Sequence, residues 1–285
     1  MNVGLMFSFR NPPKWKRAWA DVYESQLAEI RLAEDAATVD VISRGRFDLG
    51  IGKGYAPHEF LGYGIPSKER PSRFEEGIEV LRGVWMQDPF SYEGKHYHLK
   101  DIRLTPKPVQ QPHPPLWVGA LGPKAVDRAA RLGCHFLGIG DTTAYDEALR
   151  RHGRKPEDHS VAQLVWVHLA PSREQGWDEV QDHVHWMLSV YGKWLGEAGE
   201  TEAPPSVFKP PPASELRRTK EPLLFTPVVG TSAEVGRSLE DFLAKTRTTH
   251  LVLGMHFPGL DPKLSRRSMQ TFAQDLLPRL QKKNA

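Results

Sequence analysis

The chain has 285 residues, enough for one α/β barrel or two smaller domains. Its net charge is +3, with 38 Lys and Arg interspersed among 35 Asp and Glu, which argues against a basic face for nucleic acid. A lone cysteine, Cys134, excludes an internal disulfide and points to a reducing cytoplasm. No stretch approaches the ~18 apolar residues of a membrane span, and no secretory pattern is evident.

Val3 to Phe9 reads as a buried strand, stopped by Asn11-Pro12-Pro13. Trp19 to about Thr38 reads as a helix, with Val22, Leu27, Ile30 and Ala33 as its apolar stripe. Phe47 to Ile51 is a second strand, and Gly50, Gly52 and Gly54 follow at every second position. Glycines at a strand end let a ligand approach the backbone with no Cβ in the way. Lys53 adds a cation among them and Tyr55 a flat ring, a set suited to an anionic, planar ligand such as a flavin. The plainer reading is a core strand with a tight turn. Ala56 to Pro71 reads as a loop carrying His58, Glu59 and Tyr63.

Ser72-Arg73-Phe74-Glu75 is a capping box that opens a helix bearing Phe74, Ile78, Leu81 and Trp85. Ser91 to Leu104 reads as a hairpin around Glu93-Gly94, with His96 and His98 on one strand face. Two histidines without a third ligand do not make a metal site. Pro106 to Pro115 is an extended connector, and Leu116 to Ala120 a strand. Gly122-Pro123 then starts a helix that stops at Gly133. Lys124 lies beside that helix N-terminus, an arrangement that binds phosphate because dipole and amide donors point the same way; the plainer reading is an ordinary strand–turn–helix unit.

His135 to Ile139 is a strand, Tyr145 to His152 a helix, and Val161 to Leu169 a strongly apolar strand. His168 within it reads as a satisfied core histidine. Arg173 to Trp194 is a helix. The proline-rich stretch at about 197–224 reads as a long loop or flexible lid rather than a domain boundary. Thr231-Ser232-Ala233-Glu234 is a second capping box, opening a helix with Val235, Leu239, Phe242 and Leu243. His250 to Leu253 is the last strand, and Met255 to Gly259 the loop at its end, carrying His256. Asp261-Pro262 caps a final helix with Met269, Phe272, Leu276 and Leu280 on one face. Strands alternating with helices mean parallel βαβ units, as an open sheet or a closed barrel. Lys53, Gly122 and His256 all follow strands, and in a barrel such positions converge on one face.

Four stretches resemble one family, the luciferase-like monooxygenases of the bacterial luciferase superfamily. They are Leu32 to Tyr55; Glu59-Phe60 through Arg73-Phe74-Glu75-Glu76 to Trp85; Pro106-Lys107-Pro108-Val109-Gln110 to Trp117-Val118-Gly119 and on to Gly133; and Val229 to Val235. The resemblance implies a single TIM-type (β/α)8 barrel domain over 1–285 that binds reduced FMN, or in one branch the deazaflavin F420. It places Lys53 where the family often has a flavin-contacting arginine, sets Gly54 and Tyr55 against the flavin, and matches Leu121, Gly122, Lys124 and Ala125 to the turn that holds its phosphate. It implies oxygenation of a small organic substrate with O₂, a flavin reductase as electron source and a homodimer. His58 and His256 are the candidate catalytic residues, for substrate or proton contacts.

One departure stands out. In the family, two strands and a helix separate the first helix from the segment matching Leu32 to Ala37. Here the first helix runs straight into it, so on the order of 60 residues are missing if the family barrel has the usual upper-range length. The second and third strands, and a histidine near the flavin, would be lost with them. The family also contains a flavin-binding member with a barrel segment missing. F420-dependent hydride transfer, a non-catalytic flavin-binding homologue and a non-flavin barrel therefore remain as alternatives.

Overall fold

Ala33, Ala36, Ala37 and Asp40 recur at helical spacing and are all buried, and they form the inward stripe of helix α1 (Trp19–Ser43). Small side chains there let a second helix, α3 (Arg70–Met86), approach closely and bury Ile78, Leu81, Val84 and Trp85. The Trp85 indole N–H donates to the Ala33 carbonyl at 2.9 Å, fastening the two helices where a buried polar atom needs a partner. The computed structural model describes residues 19–139, 141–198, 210–219 and 226–282. These form two compact units, one ending at Gly119 and the other beginning at Ala120. The expected strand Val3 to Phe9 lies outside the described residues.

In the first unit, β1 (Leu49–Ile51) pairs in parallel with β4 (Leu116–Gly119), Leu49 opposite Leu116 and Ile51 opposite Val118. A hairpin of β2 (Phe90–Glu93) and β3 (His98–Ile102) packs on α3. A Cβ on Gly83 would lie 2.0 Å from the Phe90 ring, so glycine is what lets the hairpin settle there. The proline-rich connector is held by Asp40. Its carboxylate accepts from Val109 N–H (2.7 Å), Gln110 N–H (3.0 Å) and Gln110 Nε2 (2.7 Å), and Gln110 Nε2 also donates to Phe47 O (2.6 Å).

Two local expectations change. The loop 56–71 contains a short helix, α2 (Pro57–Gly62), and a 3-10 turn over Ser67–Glu69. The capping box at Ser72 does not form, because α3 already starts at Arg70, with Pro71 in its first turn and Glu69 as N-cap. The Ser72 hydroxyl instead donates to Glu69 O (3.1 Å) and meets His96 Nε2 (2.8 Å). His96 thus lies in the hairpin turn, folded against α3, while His98 sits on β3 beside Glu93.

The second unit is built around β6 (Val161–Leu169). It pairs in parallel with β5 (His135–Gly138), β8 (His250–Gly254) and, at its far end, β7 (Val228–Gly230). Helices α4 (Pro123–Arg131), α5 (Thr143–Arg151), α6 (Arg173–Ala198) and α7 (Ser232–Lys245) fall between the strands. A last helical run comprises α8 (Pro262–Thr271), a π turn at Phe272–Leu276 and α9 (Leu277–Lys282). Strand alternation sends Val167 and Leu169 to a core with Leu239, Leu251, Leu276 and Leu280. Trp166 faces the other way, onto Phe257 at 5.2 Å and the core of α6. The capping box at Thr231 forms as expected: Thr231 accepts from Glu234 N–H, and Glu234 from Thr231 N–H.

Met269 is 45% exposed, against the expected face of the final helix. Ser265 and Ser268 take the inward positions instead, and Ser268 Oγ accepts the Leu169 N–H at 2.9 Å. A buried strand-end amide needs that acceptor more than the core needs another thioether. Within the stretch read as a lid, 213–218 form a 3-10 turn whose Leu216 is buried against α6 and whose Arg217 pairs with Asp178. Residues 199–209 and 220–225 lie outside the described residues.

Candidate cofactor site

Parallel pairing puts the carboxyl ends of β1 and β4 at one edge of the first unit. The chain leaves that edge through Gly52, Lys53, Gly54 and Tyr55. A Cβ on Gly50 or Gly52 would meet nothing within 4 Å, so bare backbone faces open space along this strand. Lys53, Gly54 and Tyr55 are half-buried. Gly54 has φ +71°, a conformation that costs a side chain about 1–2 kcal/mol. A Cβ there would also lie 2.7 Å from the Phe60 ring.

The turn is held from behind by a residue whose role was not evident in the sequence. Arg70 Nη1 donates to Gly54 O (3.4 Å) and Tyr55 O (3.3 Å), and its Nε donates to Ser67 O (2.9 Å). Its guanidinium lies 4.9 Å over the Phe60 ring. In sequence, Arg70 is one charge among several in a run of Lys, Glu and Arg, with no spacing that marks it. His58 projects from α2, exposed.

In the second unit, Gly122 is the N-cap of α4, with extended backbone and no side-chain cap. Pro123 has no N–H, and the amides of Ala125 and Val126 both donate to the Gly122 carbonyl, at 2.9 and 3.0 Å. Leu121 and Lys124 are exposed, and Ala125 is half-buried. His256 follows β8, exposed, with Nδ1 2.8 Å from Ser265 Oγ.

One of the buried polar groups of this unit is His168, near the carboxyl end of β6. It is fully buried, and its Nε2 lies 2.7 Å from Glu179 Oε2. Glu179 also accepts from Gln175 Nε2 (2.9 Å) and from both Nη atoms of Arg267. Burial opposes ionisation of Glu179, but hydrogen bonds from Arg267, His168 and Gln175 outweigh it and hold the carboxyl down at about 2. Burial pushes the His168 imidazole below its ordinary value, against the pull of Glu179. This cluster joins β6, α6 and α8, and its histidine is enclosed by protein. Among the described residues, no group of three or more His, Cys, Asp or Glu side chains gathers as a metal ion would need.

The strand-then-helix units define an α/β protein. The sequence profile of the luciferase-like monooxygenases matches residues 27–250, and the chain belongs to that family. It is 35% identical over 113 residues to the FMNH(2)-dependent dimethylsulfone monooxygenase of Pseudomonas putida, covering 39% of this chain and 31% of that protein. It is 33% identical over 118 residues to the oxygenase component of a flavin-dependent trigonelline monooxygenase of Acinetobacter baylyi, covering 39% and 32%. The chain thus spans about a third of the length of each of these two relatives.

Among solved structures it is similar to monooxygenase RslO1 of Streptomyces bottropensis (TM-score 0.70, 23% identity, covering 88% of this chain and 74% of that one). It is also similar to the oxygenating constituent of 3,6-diketocamphane monooxygenase of Pseudomonas putida in complex with FMN (0.68, 17%, 88% and 74%). A third is an F420-dependent secondary alcohol dehydrogenase (0.66, 20%, 88% and 74%). These likenesses establish the α/β fold of luciferase-like enzymes. No helix among the described residues is long and apolar enough to cross a membrane.

Proposed function

We propose that this chain is a flavin-dependent monooxygenase that uses reduced FMN and O₂ on a small organic substrate. The observation that carries the proposal is the end of β1: open glycine backbone with Lys53 among it, in a chain of the luciferase-like family. The residues fit a flavin, since a Cβ-free strip accepts a planar ligand and Lys53 supplies a positive charge for its anionic groups. When bound, reduced flavin would supply the electrons that activate O₂. Lys53 would bind and orient the cofactor and Tyr55 would pack beside it; within the second unit, Leu121, Gly122, Lys124 and Ala125 form a turn proposed to bind phosphate. His58 and His256 are exposed enough to contact substrate. We read 1–285 as one luciferase-like barrel domain reduced by its second and third strands. A flavin reductase, a homodimer and a cytoplasmic location complete the reading.

The similarity to an F420-dependent dehydrogenase supports hydride transfer with a deazaflavin as a second reading, which the absorbance of the bound cofactor separates from FMN. The test is anaerobic equilibrium binding of reduced FMN to the whole chain and to Lys53→Ala. Loss of one charge-assisted contact, about 1.5–3 kcal/mol, predicts binding weaker by roughly ten- to a hundredfold. A folded wild type that binds neither FMN nor F420 refutes the proposal. One that binds flavin but consumes no O₂ with a flavin reductase present, whatever organic substrate is offered, is a non-catalytic homologue.

A further inference from the structure

We infer that Arg70 is a positioning residue for the turn Lys53 to Ala56: it sets the direction of two peptide groups and leaves the ligand's charge to Lys53. The inference rests on the cofactor reading of that turn. Two successive carbonyls of the turn, Gly54 O and Tyr55 O, converge on one nitrogen, Arg70 Nη1. In a trans peptide the C=O and the following N–H point in opposite directions. Carbonyls drawn to Arg70 therefore send the amides of Tyr55 and Ala56 the other way. The guanidinium cannot swing free, because Nε is bonded to Ser67 O (2.9 Å) and its plane lies over Phe60. Phe60 is the shared surface, since the same ring fills the space a side chain on Gly54 would need. Arg70, Phe60 and Gly54 thus hold the turn in one conformation before any ligand arrives, which lowers the ordering cost of binding.

Lysine keeps the charge of arginine but not its planar fork, so it cannot stack on Phe60 and serve three carbonyls at once. That difference separates positioning from direct attraction. Arg70→Lys and Arg70→Gln are compared with wild type, and Phe60→Leu removes the stacking surface without touching charge. Amide exchange is followed in the ligand-free proteins at Glu59, Tyr63 and Ile65, whose N–H groups bond to Ala56, Glu59 and Phe60 carbonyls and so report on the packed turn and α2. Positioning predicts exchange about tenfold faster in all three variants, and reduced FMN bound at least tenfold more weakly by Arg70→Lys and Arg70→Gln alike. Unchanged exchange, or full rescue of binding by lysine, overturns it. Wild-type protein that binds no flavin defeats the cofactor reading instead, and the ligand-free exchange still decides whether Arg70 holds the turn.

Discussion

Replacing Glu179 by glutamine tests the buried cluster that ties β6 to α6 and α8. The Glu179 side chain is 12% exposed and receives hydrogen bonds from His168, Gln175 and Arg267. Holding its carboxyl at about 2 rather than the ordinary 4.5 is worth about 3 kcal/mol of folding free energy at neutral pH. Glutamine keeps the shape but removes the charge that His168, Gln175 and Arg267 hydrogen-bond, while the Arg267 side chain, 35% exposed, keeps water within reach. The expected loss at pH 7 is about 3 kcal/mol, measured by urea unfolding, or roughly 6–12 °C in midpoint temperature. The pH dependence carries a second signature. A carboxyl with a lowered pKa stabilises the fold fully above its unfolded value, and that contribution fades as pH falls through 4.5 toward 2. His168 acts in the same direction below 6.5, because burial disfavours its protonation in the folded chain. Wild type should therefore lose stability steeply between about pH 5 and pH 2, and Glu179→Gln much less so over that window. A variant within about 0.5 kcal/mol of wild type at pH 7, or one with the same acid slope, refutes the reasoning.

Two further substitutions probe contacts of different range. Asp40→Ala removes the acceptor of two backbone amides and the Gln110 side chain in a fully buried position, and should cost about 3 kcal/mol by urea unfolding; a loss below about 1 kcal/mol would mean that water replaces the carboxylate. Thr231→Ala removes the cap of α7 and should cost about 1 kcal/mol in the same assay, with Thr231→Ser close to wild type.

What the sequence determined by itself is what neighbouring residues decide among themselves. The β6 strand, the proline-started α4 and the capping box at Thr231 stand where local pattern put them, because strand alternation, a fixed proline φ and an i,i+3 cap are all short-range physics. The glycine-lined strand end was legible for the same reason, and four motifs in order carried the family. Tertiary structure decided the partners. Ser72 had the spacing of a cap, but its hydroxyl is taken by Glu69 O and by His96, 24 residues away. His168 read as a satisfied core histidine, but the fold satisfies only its Nε2, through Glu179 from α6 and, behind it, Arg267 from α8, and leaves its buried Nδ1 without a partner among the described residues. Asp40 meets Gln110 across 70 residues, and Arg70 reaches back to the turn at Gly54. A charged side chain has no fixed period and is stabilised by whatever donor or acceptor the fold places beside it, so its role is written in packing rather than in sequence spacing.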